Sequence, residues 1–478
     1  MTGKHSLNRL NHLSSLNSRN GVKGMGNFNG RGRSGRLVRL GGLGRLGRAS
    51  GANQGGATLS PAHRHGIAPA VVVILAGVSA ALHVAKLFPA LPVLRELLWI
   101  SLVQAGFLLS AVQLAGMTLG LAVGLLAGGI GLKRCMLAGL VLLFGAGALG
   151  GWAHSATNLL ALRAIEGAGF LLVCTPAPAL IRHLVAPNRL GRLLGVWGAY
   201  MPFATALALL CGPALILRAG WQVWWWLLSA LSLAMAAWLW RVVPPDVSWK
   251  AASAAQALPG QLAADGKAGS TWAHRLRQTL ANRGPWLVAL SFAAYSGQWV
   301  AVIGFLPSIY MQAGFSGAAT AWLTALAAAV NMVGNVASGW LQGRGARPQV
   351  LLYIGFCVMG LAAFMAFMTF NGAGLPPAIR YLAVLLFSMV GGVIPGTLFT
   401  LAVRLAPGQD TVSTTVGWMQ QWSAFGQFAG PPLVAWVASS AGGWQWTWVV
   451  TAGCAAVGVL LAWQLGRQPE PLHHAETT

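Results

Sequence analysis

Residues 116–134 read GMTLGLAVGLLAGGIGLKR, and the reading of this stretch decides the fold. Glycine stands at 116, 120, 124 and 128, one per helical turn. That spacing predicts a helix with one bare face, against which another backbone can lie closely. The helix is expected to break at Gly128-Gly129. The run then passes Gly131 and ends in Lys133-Arg134, the basic pair that marks the cytoplasmic end of a membrane span.

The rest of the chain agrees. Of 478 residues, 56% are hydrophobic and 8% are charged, against about 25% charged in soluble domains. This is the composition of a membrane protein. A hydrocarbon core of about 30 Å needs roughly 20 apolar residues per helix. Twelve such stretches are predicted, at about 67–91, 102–126, 135–153, 157–181, 194–217, 221–240, 285–310, 320–342, 349–370, 380–403, 412–437 and 444–465; they are called spans 1 to 12. The predicted fold class is an all-α membrane protein with twelve transmembrane helices in two six-helix bundles, 67–240 and 284–466. Trp221, Trp224, Trp225 and Trp226 are read as an interfacial belt.

Residues 1–66 hold eleven Lys/Arg and no acid, and such a segment buries too little apolar surface to fold. Three readings stay open for it: a disordered tail on anionic lipid, a nucleic-acid-binding arm, or sequence upstream of the true start, with Met25 as one candidate. Residues 241–283 read as a basic cytoplasmic linker whose portion 272–282 forms an amphipathic helix on the membrane. Residues 467–478 form a short tail. With both termini inside, 26 of the 31 Lys/Arg fall on the inner side, which fixes the orientation. The same bias accounts for the net charge of +24 without a specific nucleic-acid partner. The five cysteines have no metal-ligand spacing. No cofactor, metal or nucleotide motif is found.

The halves repeat. Pro89 matches Pro307, Gly120-x-x-x-Gly124 matches Asn335-x-x-x-Gly339 with Gly343, Arg344 and Arg347 behind it, Arg163 matches Arg380, Pro178 matches Pro395, and Gly212-Pro213 matches Gly430-Pro431. All lie at offsets of about 215–218 residues. Five matches in one order predict two bundles related by an axis along the membrane normal.

Residues 124–134 resemble the signature between spans 2 and 3 of the major facilitator superfamily, Gly-x-Leu-Ala-Asp-Arg-x-Gly-Arg-Lys-Arg. Gly124, the Leu126-Ala127 pair, Gly131, Lys133 and Arg134 are kept, and Gly128 stands where that family has Asp. Arg163-Ala164-Ile165-Glu166-Gly167-Ala168-Gly169 is similar to a second signature in span 4, with Glu166 where Gln is common. Of the antiporter signature in span 5 only Gly212-Pro213 survives. Residues 192–202 and 88–94 resemble the cyanate/nitroimidazole-type permease branch. The resemblance implies a monomeric permease of the bacterial-type inner membrane, working by alternating access on a small-molecule substrate. It also implicates Arg163 in proton coupling.

Ionisable residues inside a membrane are costly and mark functional sites. Arg163 and Glu166 share a face of span 4, as a substrate or proton-coupling pair facing the central cavity or as a structural ion pair. Lys86 binds an anion or snorkels outward. His83 is a proton relay or a packing residue. Tyr295 and Gln298 of span 7 and Gln420 of span 11 are candidates for lining the cavity, which suits a small anion or polar organic solute, with protons as the candidate coupling ion. Two rivals stay open: an exporter of drugs or metabolites with the same fold, and a polytopic membrane enzyme, for which no catalytic cluster is found.

Overall fold

The computed structural model describes residues 67–246, 272–370, 373–408 and 411–468. The expected tail 1–66 and most of the expected linker lie outside the described residues. The described residues are helical almost throughout. Among the described residues eleven segments are long and apolar enough to cross a membrane: Ala68–Leu97, Leu102–Val123, Leu132–Gly150, Ala156–Leu184, Tyr200–Ala219, Trp221–Val242, Arg283–Gln312, Gly317–Gly343, Pro348–Phe367, Pro377–Arg404 and Trp444–Gly466. The remaining expected span, the eleventh, is the 29-residue helix Val412–Ser440. It falls outside that set because Gln420, Gln421, Gln427 and several Ser and Thr lower its hydropathy. A helix is also present at Trp272–Ala281, where the amphipathic segment is expected, and a two-residue hairpin pairs Thr369–Phe370 with Ala373–Gly374.

The internal repeat reappears as a repeat of helix breaks. Span 2 is interrupted by a tight turn at Ala111–Gln113 and span 8 at Val330. Span 4 is interrupted before Ala177 and span 10 at Gly392. Each pair is separated by about 217 residues. Span 1 departs from the pattern. It stops at Ala85 and restarts at Leu87, whereas span 7 runs unbroken over the matching position, Gly304. The cause is local: Pro89 and Pro92 remove two backbone donors within four residues, and the matching end of span 7 has only Pro307.

The bare face of span 2 meets span 11. A Cβ on Gly116 would stand 2.9 Å from that of Ala424, and one on Gly106 would stand 2.8 Å from Pro432. Spans 5 and 8 form the matching pair across the other seam, and Gly304 of span 7 rests on Phe88 and Leu109. The halves are thus joined along spans 2 and 11, spans 5 and 8, and the C-terminal ends of spans 1 and 7.

The turn after span 2 differs from expectation. The helix continues through Gly128 and Gly129 to Ile130 and ends at Gly131, whose φ of 115° only glycine adopts readily. Asp246, beyond span 6, accepts from the backbone N–H groups of Lys133 at 2.9 Å and Arg134 at 3.1 Å. A carboxylate is favoured at a helix N-terminus, so Asp246 caps span 3. Lys133 in turn donates to the carbonyls of Trp240, at 2.8 Å, and Val243. In the repeat, Gly339 is open on its side-chain face, the Arg344 guanidinium stacks 3.5 Å above the Trp340 ring, and Arg347 is exposed.

Candidate functional site: a buried charge cluster at the break in span 1

The break at Lys86 leaves backbone carbonyls without helical donors. In a membrane these must be satisfied by neighbouring helices, and polar side chains of spans 4 and 6 do so. Arg163 donates to the carbonyls of His83 and, at 3.2 Å, Val84. Trp224 Nε1 donates to the Lys86 carbonyl at 3.1 Å.

Glu166 sits at the centre. Its Oε2 accepts from Arg163 at 2.8 Å, and its Oε1 accepts from Lys86 Nζ. His83 Nδ1 lies 3.2 Å from the same Oε1, while Nε2 faces Ser232 Oγ at 2.9 Å and the Leu228 carbonyl at 3.3 Å. Ser232 continues to Ser79 at 3.1 Å. Lys86 Nζ also stands 4.6 Å over the Trp225 ring. Three spans contribute: 1, 4 and 6. Span 3 closes the fourth side, where a Cβ on Gly147 would come 2.9 Å from the His83 ring and 3.2 Å from Glu166.

His83, Lys86, Arg163 and Glu166 are each at most 1% exposed. Burying one charge of either sign is expensive, and paired charges with satisfied hydrogen bonds are the tolerated form. Here a single carboxylate serves two cations and a histidine. The His83 ring has an acceptor or donor at each nitrogen, so its proton can sit on either side. The cluster can therefore hold a proton, and it joins that proton to the broken backbone of span 1 through Arg163.

The structure brings together three of the expected site residues, Lys86, Arg163 and Glu166, with His83. Their side chains meet one another between spans 1, 3, 4 and 6, where Gly147 and the face of span 6 with Leu228 and Ser232 enclose them. The tryptophan belt is corrected. Trp221, Trp224 and Trp225 are at most 5% exposed and only Trp226 reaches 37%. Residues 221, 224, 225 and 228 share one helix face, and that face is turned inward. Ser79 and Ser232 carry no signal in the sequence that separates them from other apolar-span serines.

The second-half candidates do not join this cluster. Tyr295 and Asn331 share a hydrogen bond at 3.1 Å; Asn331 also donates to the Ser388 carbonyl at 2.7 Å, and Trp299 donates to the Ser388 hydroxyl at 3.1 Å. This neutral network ties spans 7, 8 and 10. Gln298 is 1% exposed and donates to the Ala294 carbonyl at 3.1 Å. Gln420 is exposed, on the side of span 11 opposite the apolar stripe of Trp418, Trp422, Phe425 and Leu433. Arg380, the repeat partner of Arg163, is half-buried and donates to the Ala366 carbonyl at 2.6 Å near the hairpin after span 9. Among the described residues no group of three or more His, Cys, Asp or Glu is placed to hold a metal.

A sequence model of the Major Facilitator Superfamily matches residues 70–431. No curated protein sequence matches the chain. Solved structures of the same fold include the proton:xylose symporter XylE bound to 6-bromo-6-deoxy-D-glucose, at 16% identity and a TM-score of 0.65 over 83% of this chain and 95% of that one. The inward-open xylose transporter XylE from E. coli aligns at 16% identity with a TM-score of 0.67 over 85% and 97%. A bacterial homolog of the human lysosomal transporter Spinster, inward-facing and unoccupied, aligns at 15% identity with a TM-score of 0.66 over 86% and 98%. At these identities the likeness is one of fold.

Proposed function

Because the chain belongs to the Major Facilitator Superfamily, a family of multi-pass secondary transporters, we propose that it moves a small anionic or polar organic solute by alternating access, coupled to protons at the Glu166 cluster. The membrane is a bacterial-type inner membrane, and the inward bias of Lys and Arg supports cytoplasmic termini.

One observation carries the coupling: the sole carboxylate deep in a described span holds both Lys86 and Arg163, and Arg163 holds the carbonyls at the break in span 1. A proton arriving on Glu166 removes the charge that both cations face. Arg163 and Lys86 then lose their counter-ion, and the break they support is free to change its angle. Proton occupancy is thereby tied to the outer piece Leu87–Leu97, which rests on span 7 of the other half. A proton symporter among the proteins of similar fold supports coupling of this type.

The cargo class rests on what the second half offers. Gln420 lies exposed on the side of span 11 opposite Trp418, Trp422 and Phe425, and Gln427 on the same side is half-buried. Amides bind polar or anionic groups, and the one deep acid is already engaged by two cations. A cationic cargo would find no partner in Glu166.

The test is uptake of a panel of radiolabelled anions and neutral polar solutes into proteoliposomes, with and without an inward proton gradient. The expected result is gradient-stimulated uptake of one solute that Glu166→Gln reduces at least tenfold. Efflux of dyes or antibiotics with no uptake from the panel would replace this reading with an exporter.

A further inference from the structure

The seam between spans 2 and 11 joins the two halves, and one side chain crosses it in an unusual way. Gln421 Nε2 donates to the Met117 carbonyl at 2.9 Å, while its Oε1 accepts from the Leu121 backbone N–H at 3.1 Å. Met117 and Leu121 are acceptor and donor of one i→i−4 step of the span 2 helix, so the amide of span 11 lies across that step. Gly120 lies under this amide; a Cβ there would stand in van der Waals contact with the Gln421 Cβ, at 3.4 Å. Farther from the Lys133-Arg134 end, Gln113 donates to Gln427 at 2.9 Å, and Gln427 donates to Ser423 at 3.2 Å. Among the described residues no ion pair crosses this seam.

We propose that Gln421 is a positioning residue of the transport cycle, a neutral latch that holds the inner part of the span 2–span 11 seam closed. Inner here means the side of Lys133 and Arg134. When the halves rock so that this part opens, Gln421 must release both Met117 and Leu121. The latch needs one donor and one acceptor at the end of a four-bond arm, which glutamine supplies. The arm lies over Gly120, on the glycine face of span 2. The inference requires two halves that move relative to each other; it does not depend on the cargo or on coupling at Glu166.

The experiment is a spin-label distance measurement by double electron–electron resonance in nanodiscs. Labels go on Ile130→Cys and Ser413→Cys, at the exposed inner ends of the two spans. The background carries alanine at the five native cysteines, with Gln421 as the reference. Gln421→Met, similar in length but apolar, is expected to raise the ratio of long to short distances about fivefold, the size of two interhelical hydrogen bonds in a bilayer. Gln421→Glu has nearly the same shape, but its carboxylate cannot donate to Met117. It is expected to behave like Gln421→Met at pH 8. At about pH 4, where a carboxyl group regains a proton and with it a donor, Gln421→Glu returns toward the reference and Gln421→Met does not. Unchanged distances in both variants at pH 8 would overturn the latch. So would a pH response shared equally by the two variants, since that would not come from residue 421.

Discussion

Glu166→Leu is expected to destabilise the protein by about 3–5 kcal/mol, the usual cost of removing one partner from a buried ion pair. The carboxylate accepts from Arg163, at 2.8 Å, and Lys86, and faces His83 Nδ1 at 3.2 Å. All four side chains are shut off from water. Leucine would leave two buried cations in the interior with no counter-charge. Two comparisons separate this cause from simple loss of packing. Glu166→Gln keeps the shape and the acceptor oxygen, so it should cost less than leucine. Lys86→Met together with Glu166→Leu should cost less than the two single changes added, because residues in one network are not independent. Thermal unfolding in detergent, followed by tryptophan fluorescence, reads all three. Additive losses would mean that the cluster is not an electrostatic unit.

Gly297→Val is expected to be nearly as damaging, for a reason of pure geometry. Spans 7 and 11 cross with backbone against backbone: a Cβ on Gly297 would lie 2.6 Å from the Gly426 carbonyl oxygen, and Gly426 and Gly430 face the Ala293 and Gly297 carbonyls in the same way. Backbone cannot swing aside as a side chain can. The helices must separate, and a cost of about 3 kcal/mol, the upper end of ordinary overpacking, is expected. Gly339→Ala provides the contrast, since nothing lies within 4 Å of its added carbon; its unfolding temperature should stay near that of the parent. Equal losses at 297 and 339 would contradict the close crossing.

The architecture is legible in the sequence because bilayer thickness, Lys/Arg bias and an offset of about 217 residues are all one-dimensional signals. The eleventh span shows the limit of hydropathy: its glutamines lower the average, and its place between spans 2 and 7 makes that tolerable. Half of the charge cluster is legible as well. The i,i+3 pairs His83–Lys86 and Arg163–Glu166 each declare a shared face. Their meeting is not legible, because it joins residues 80 apart in the chain, and the direction they face depends on which side of span 4 meets span 1. The role of Trp224 and Trp225 was hidden by the richness of span 6 in tryptophan. A belt and a buried face have the same composition, and only the packing of residues 221, 224, 225 and 228 on span 1 distinguishes them. Asp246 was equally hidden, since a cap supplied from 112–113 residues away has no local spacing. Gly128-Gly129 predicts the end of span 2, which lies instead at Gly131, because adjacent glycines permit a turn without requiring one, whereas a φ of 115° requires glycine.

The central claim is that solute movement is tied to a proton held at Glu166. It is tested most directly by trapping a pH-sensitive dye inside proteoliposomes and adding the solute that the uptake panel identifies. The account predicts acidification of the lumen as the solute enters, with both signals falling together in Glu166→Gln. Uptake at full rate with no change in lumenal pH would contradict it.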